Sequence, residues 1–221
     1  MIALKYAAIA VICYLLGSFN FSIIFSKFLA KQDIRESGSG NAGATNMLRT
    51  YGKKYAAFTM VGDIIKVAIA VLIAFAILNA PFKYIFAIAD NADTAFTVIL
   101  YKEYAGFFCV LGHIFPLYFK FKGGKGMAAA TGMVILVDWH IALILFVIFV
   151  SVILISKWVS LGSIVIALLF PILIFTFYKN ITLVLVACLF TAIVLIAHRE
   201  NIKRIFNGTE NKIGSKKNKQ K

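Results

Sequence analysis

Charge is what this sequence has least of. Only 14% of its 221 residues are Asp, Glu, Lys or Arg, whereas an ordinary soluble domain carries about a quarter, so a water-soluble globular enzyme and a disordered basic protein are both excluded. Acidic residues number nine and histidines three, too sparse and scattered for a paired-carboxylate metal centre. Cysteines are an odd set of three, Cys13, Cys109 and Cys188, each inside an apolar run; neither a disulfide framework nor a zinc site follows. The apolar run from Ile2 to Leu16 lacks a small-residue cleavage signature, being followed by Gly17-Ser18-Phe19-Asn20, and is read as a retained first span. No internal repeat is visible. What is abundant is apolar surface, 62% of the chain, with a mean hydropathy of +0.91. At ~20 residues per crossing, this allows roughly six or seven helical spans.

Spans are expected at roughly 3–26, 56–79, 95–115, 127–138, 140–156, 160–178 and 181–197. The fold class is therefore all-α, polytopic, with about seven transmembrane helices. The fourth is short, because Asp138-Trp139-His140 interrupts it. One domain is expected over 1–214, followed by a basic, disordered tail at 215–221. The formal net charge is nonetheless +14. Eighteen of the 23 basic residues fall in segments 27–54, 116–126 and 198–221 or at Lys157. With seven spans, all four places lie on one side. Lys and Arg are retained in the cytoplasm, so the N-terminus is expected outside and the C-terminus inside. Lys5, Lys83, Lys102 and Lys179 are assigned to the opposite side, offset by Asp90, Asp93, Glu103 and Asp138.

The small polar residues collect in the same basic loops. The first is Ser37-Gly-Ser-Gly-Asn-Ala-Gly-Ala-Thr-Asn46, followed by Met-Leu-Arg49. A glycine-rich turn feeding a helix start presents free N–H groups to an anion, and Thr45 and Arg49 share a helical face, so Arg49 can fork onto a phosphate. The second loop, from Gly112-His113 to Gly123-Gly124-Lys125-Gly126, lacks the P-loop spacing and its Mg²⁺-binding hydroxyl, so an NTPase is not indicated. Lys120 and Lys122, interleaved with Phe119 and Phe121, read as interfacial anchors. Lys125 is boxed by glycines where a phosphate can approach, and His113 reads as structural. The third loop is His198-Arg-Glu-Asn201-Ile-Lys-Arg204, with Gly208 and Glu210 beyond it. On a helix His198 and Asn201 face one way, Glu200 and Arg204 can pair, and Gly208 supplies a stop. Asp63 and Lys66 inside the second span need a partner or a task. Ser160 and Ser163 follow Lys157 and share a helical face near the cytoplasmic end of the span expected at 160–178; bonding to their own helix is the commoner fate.

Together these pieces resemble the bacterial acyl-phosphate:glycerol-3-phosphate acyltransferases, the PlsY family. The matching motifs are Ser39-Gly-Asn-Ala-Gly-Ala-Thr-Asn46, Gly112-His-Ile-Phe-Pro116 with Phe121-Lys-Gly-Gly-Lys-Gly126, and His198-Arg-Glu-Asn-Ile-Lys-Arg204 with Gly208 and Glu210. Likeness extends to Asp63–Lys66 and to Val159-Ser-Leu-Gly-Ser163. One departure is Ala129, where the family pattern has Thr; that contact is lost or moved to Thr131. The resemblance implies a cytoplasm-facing site in the bacterial cell membrane. It also implies acyl transfer from acyl phosphate to the 1-hydroxyl of sn-glycerol 3-phosphate, giving lysophosphatidic acid for phospholipid synthesis. No cofactor or metal is implied, and the donor comes from a separate soluble phosphate acyltransferase. Carried over by motif, Ser39, His198 and Asn201 are expected as catalytic, with Ser37 the fallback for Ser39. Arg49, Lys125, Gly40, Asn41, Gly43, Thr45, Asn46, Gly123, Gly124, Gly126 and Ser163 are expected to bind substrate.

The chemistry is consistent with this. A mixed anhydride has a good leaving group, so the demand is for holding two phosphates together and aiming a hydroxyl at the carbonyl. Arg49 and Lys125 are expected on the glycerol 3-phosphate, and the glycine loops with Ser39 or Ser163 on the acyl phosphate. The proton can pass to His198 or to a donor phosphate oxygen. The His-x4-Asp dyad of another glycerol-phosphate acyltransferase family is missing, since Tyr118, Leu145 and Lys203 stand five residues after the three histidines. A transporter would place its site at the midplane between repeated halves, and a scaffold contacting membrane lipid through its basic tail leaves the Asn and His residues unused. Nucleic acid has no basic soluble domain to bind.

Overall fold

Long β-branched and aromatic runs form helices here because each helix satisfies its backbone internally, the one requirement hydrocarbon imposes on an open chain. The computed structural model describes residues 1–89 and 91–213; the basic tail expected at 215–221 lies outside them. The described residues are helical, with no strand. Among the described residues ten α-helices run in order: α1 Ile2–Gly17, α2 Phe21–Ala30, α3 Ala44–Tyr51, α4 Lys53–Leu78, α5 Ala92–Ile114, α6 Met127–Val137, α7 Trp139–Ser156, α8 Val159–Tyr178, α9 Ile181–Ala197 and α10 Arg199–Phe206.

Five stretches are long and apolar enough to cross a bilayer: Ile2–Ala30, which joins α1 and α2 across Ser18-Phe19-Asn20, then α4, α5 with its following turn, α7 and α8. Helix α9 with α10, bent by 62° at His198, makes a sixth. Helix α6 is 11 residues long, about 16 Å at 1.5 Å per residue, half of a hydrocarbon core of about 30 Å. It nonetheless ends where α8 ends. Asp138, which caps α7 by accepting the His140 N–H at 2.7 Å, also accepts the Tyr178 hydroxyl at 2.5 Å.

Small residues set the helix spacing, as they do where lipid supplies no hydrophobic drive between helices. A methyl on Gly17 would sit 1.9 Å from the Cys109 carbonyl, and one on Gly112 would sit 2.1 Å from that of Tyr14; α1 and α5 therefore touch backbone to backbone. Lys66 ties this seam to α4. Its ammonium donates to the carbonyls of Gly17 at 3.1 Å and Phe19 at 2.9 Å, and lies 2.8 Å from Asp63 and 2.9 Å from His113 Nδ1. All three ionisable side chains are buried. His113 has the structural contacts expected of it, and Asp63 and Lys66 have the partners that their burial requires.

Two expectations about charge are corrected. Lys102 and Glu103 are not outer-surface residues, because both are buried within α5, where Lys102 reaches the Ala87 carbonyl at 3.4 Å. Glu200 does not pair with Arg204. It lies 3.5 Å from Lys203 and 3.7 Å from Arg199, and Arg204 turns instead to Glu210 at 2.8 Å, because the chain after α10 folds back within its reach.

Candidate active site

The three polar loops lie at one end of the bundle around one cavity, and the first two brace one another. In the first, Asn46 is the staple. Its Oδ1 accepts the Ser39 N–H at 2.8 Å, and its Nδ2 donates to the carbonyls of Ile34 at 3.1 Å and Ser37 at 2.9 Å. Three bonds commit the side chain of this expected substrate ligand to shaping the loop. Helix α3 then starts after Gly43 with no side-chain cap, leaving its first N–H groups open.

The second loop is pressed against the first. Gly123 and Gly124 donate to the carbonyls of Ile114 and His113, and a methyl on Gly124 would stand 2.1 Å from the Ala42 carbonyl and 2.5 Å from His113 Nε2. These two glycines permit loop contact and are absent from the lining of the cavity described next, as is Gly40. Gly126, at φ 77°, precedes α6, again with no side-chain cap. Arg35, held by Asp33 at 2.6 Å, bridges the two loops by donating to the carbonyls of Phe119 and Lys122.

The third loop begins at the α9–α10 bend. His198 Nδ1 is 2.8 Å from the Val194 carbonyl; a carbonyl only accepts, so Nδ1 carries the proton and Nε2 of the neutral ring is an acceptor. Beyond α10, Gly208 at φ 69° turns the chain as expected, the Thr209 N–H meets the Arg204 carbonyl, and the Ile213 N–H reaches the Lys157 carbonyl at 2.8 Å. That return delivers Glu210, whose carboxylate accepts from Ser160, Asn201 and Arg204.

Between the loops opens a cavity of about 450 Å³. Its polar mouth includes Ser39, Asn41, Gly43, Thr45, Asn46, Arg49, Lys125, Gly126, Ser163, His198 and Asn201, so most expected site residues converge from segments far apart in the chain. Ser37 does not line it. Arg204, Glu210 and Ser160 do; Glu210 was legible only as a matched motif position without a role, and Ser160 only as a serine expected to bond its own helix, whereas its hydroxyl goes to Glu210. The starts of α3, α6 and α8 all face it, through Ala44, Met127 and Val159, and none carries a side-chain cap. Three open helix N-termini beside lysine and arginine make a strongly anion-attracting space. Ser163 donates to the Val159 carbonyl at 3.1 Å, the helix bond expected as the commoner fate, while its neighbour Ser160 serves Glu210.

Electrostatics at the mouth are crowded. Burial, with Arg204 and Arg49 nearby and Glu210 opposing them, lowers the Lys125 ammonium to about 8. Burial pushes Glu210 upward, but the hydrogen bonds from Arg204, Asn201 and Ser160 and the Arg204 charge outweigh it, so the carboxylate is held below its usual range. Asp63 and His113 also line the cavity; the rest of its wall is largely apolar, running between α4, α6, α7, α8 and α9 past Phe146, Phe149, Ile166, Phe170, Phe190 and Val194. Ala129 is fully buried, while Thr131 lines the cavity with its hydroxyl bonded to the Met127 carbonyl.

One pocket thus has an anion-binding mouth and an oily tail, the shape of a site that joins a phosphate to a long apolar chain. Comparison with known proteins agrees. The family model described as glycerol-3-phosphate acyltransferase matches residues 7–208. A glycerol-3-phosphate acyltransferase of Clostridioides difficile is 43% identical, over 96% of this chain and 98% of that protein, and one of Mycoplasmopsis agalactiae is 41% identical over 92% and 91%. Crystal structures of PlsY (YgiH), an integral membrane glycerol 3-phosphate acyltransferase, superpose with a TM-score of 0.78 at 33% identity in the glycerol 3-phosphate form and 0.76 at 32% in the lysophosphatidic acid form. Each covers 95% of this chain, and this chain spans 96% and 95% of them. On sequence and fold alike, the chain belongs to the glycerol-3-phosphate acyltransferase family, the PlsY family of integral membrane enzymes.

Proposed function

We propose that this enzyme transfers a fatty acyl group from acyl phosphate to the 1-hydroxyl of sn-glycerol 3-phosphate, releasing lysophosphatidic acid and inorganic phosphate. The observation that carries the reading is the convergence of three uncapped helix N-termini with Arg49, Lys125 and Arg204 on the mouth of a cavity whose remainder is largely apolar. Two phosphates brought together repel, and this is the arrangement that offsets the repulsion. Arg49 and Lys125 hold the phosphate of glycerol 3-phosphate; Ser39, Ser163 and the backbone at Gly43 and Gly126, the loop glycines that line the cavity, hold the acyl phosphate, whose chain lies along α7–α9. The 1-hydroxyl oxygen attacks the acyl carbon, the bond from that carbon to the phosphate oxygen breaks, and the hydroxyl proton leaves on the departing phosphate, directly or by way of His198. His198 and Asn201 align the hydroxyl. No residue is acylated, because the leaving group is already activated.

For topology the same reading has seven crossings of the bacterial cell membrane, with α6 as the short fourth, the N-terminus outside and the site facing the cytoplasm. The excess of basic residues at the loop end supports it, and the donor then arrives from a soluble phosphate acyltransferase. The test is purified protein in detergent with labelled glycerol 3-phosphate and either acyl phosphate or acyl-CoA. Lysophosphatidic acid is expected from acyl phosphate. None from that donor overturns the reading, and equal use of acyl-CoA overturns the donor.

A further inference from the structure

Glu210 has no task in the scheme above, yet three groups at the site point at it. Its side chain is 6% exposed. Oε1 accepts the Ser160 hydroxyl at 2.9 Å and Asn201 Nδ2 at 2.8 Å, and Oε2 accepts Arg204 Nε at 2.8 Å. An ionised carboxylate only accepts hydrogen bonds, so Asn201 must turn its nitrogen toward Glu210. Its Oδ1 is then the free end of the amide. That oxygen is buried and has no partner among the described residues, on a side chain that lines the cavity. His198 is oriented in the same sense, with Nδ1–H spent on Val194 and Nε2 left as an acceptor. The two residues are three apart across the α9–α10 bend and line the same cavity.

A pair of acceptors is the wrong equipment for a phosphate, which at neutral pH offers few protons, and the right equipment for hydroxyls. Acyl phosphate brings no hydroxyl, whereas glycerol 3-phosphate brings two on adjacent carbons. We infer that Glu210 is a positioning residue that locks the Asn201 amide with its oxygen toward the cavity, so that Asn201 and His198 together read a vicinal diol: His198 Nε2 takes the attacking 1-hydroxyl and Asn201 Oδ1 the 2-hydroxyl. This rests on the acyl-transfer reading for the identity of the acceptor substrate. It assigns acceptor specificity to a carboxylate that acts through Asn201.

The test is the ratio of kcat/KM for glycerol 3-phosphate to that for 1,3-propanediol monophosphate, which keeps the phosphate and the attacking hydroxyl but lacks the 2-hydroxyl. A ratio cancels changes in folded fraction and phosphate affinity. The parent should prefer glycerol 3-phosphate by at least ~10-fold, because the analogue leaves a buried acceptor unpaired. In Glu210→Gln the single oxygen must choose. Arg204, which can only donate through a charged group, holds it, so the amide nitrogen faces Asn201 and forces that side chain to flip. The preference should fall toward unity, because the flipped amide offers a donor in place of the acceptor that takes the 2-hydroxyl proton. Adding Arg204→Met frees the glutamine oxygen for Asn201, and Glu210→Gln/Arg204→Met should regain most of the preference at a lower rate. Should Glu210→Gln not fold, Asn201→Ala carries the test, and its preference should also be near unity. A parent with no preference, a Glu210→Gln enzyme that keeps it, or a double variant that does not recover it overturns the proposal. A parent that acylates neither acceptor from acyl phosphate overturns the acyl-transfer reading, and the diol reading falls with it.

Discussion

Lys125 supplies the sharpest test of the site's electrostatics. Burial and the charges of Arg204 and Arg49 lower its ammonium to about 8, against the pull of Glu210, so the free enzyme should lose this charge within the accessible pH range. At pH 7 roughly nine-tenths of the molecules carry it and at pH 9 roughly one-tenth, so kcat/KM, which reports ionisation of the free enzyme, should fall about tenfold between them. Substrate phosphates do not share the blame, because their second ionisation, near pH 6, is complete before the fall begins. A lowered lysine is charged below its pKa and neutral above it, so the loss lies on the alkaline side. Saturating substrate should move it to higher pH, since a bound phosphate favours the ammonium. Lys125→Arg, charged throughout, should lose activity in proportion to its poorer fit but show no fall up to pH 9.5. Lys125→Ala should cost at least ~10²-fold at pH 7. Initial rates of lysophosphatidic acid formation from pH 6.5 to 10 decide the matter. A flat parent profile, or the same alkaline fall in Lys125→Arg, would refute the assignment of that limb to Lys125.

Lys66→Met strands the fully buried Asp63 beside His113 and should destabilise the bundle by about 3–5 kcal/mol; in detergent unfolding, Lys66→Met/Asp63→Asn should recover much of the loss. Asn46→Ala removes three hydrogen bonds from the first loop. With net contributions of about 1 kcal/mol each, the 37–43 segment should become protease-sensitive and kcat/KM should fall, while the unfolding midpoint of the bundle barely moves. Gly124→Ala places a methyl 2.1 Å from the Ala42 carbonyl, where backbone cannot yield, so turnover should drop sharply in a protein that still purifies as a folded monodisperse species.

Much of the site was legible because its chemistry is confined to loops between apolar runs. Ser39, Arg49, Lys125, His198 and Asn201 stand out against hydrocarbon, and all five line the cavity. Glycines mislead at this level, because a sequence does not distinguish a glycine that meets a ligand from one that meets another backbone; Gly123 and Gly124 are of the second kind. Charge pairing was misjudged for a similar reason. Helical spacing offered Arg204 a partner in Glu200, but the return after Gly208 presents Glu210 to its guanidinium instead.

Composition and periodicity by themselves determined that this is a helical membrane protein with its positive charge gathered at one end, since hydrocarbon admits few alternatives to an apolar helix. Local motifs determined which residue types gather there. Only the tertiary structure decided which of them face one another. The uncapped starts of α3 and α6 meet at one cavity because Gly124 lets the loops that lead into them touch, and the start of α8 faces the same space. The Asn201 amide points one way because a carboxylate nine residues on is folded beneath it. Hydrogen-bond direction is a property of the partner, and partners are chosen by packing across the chain rather than by neighbours along it.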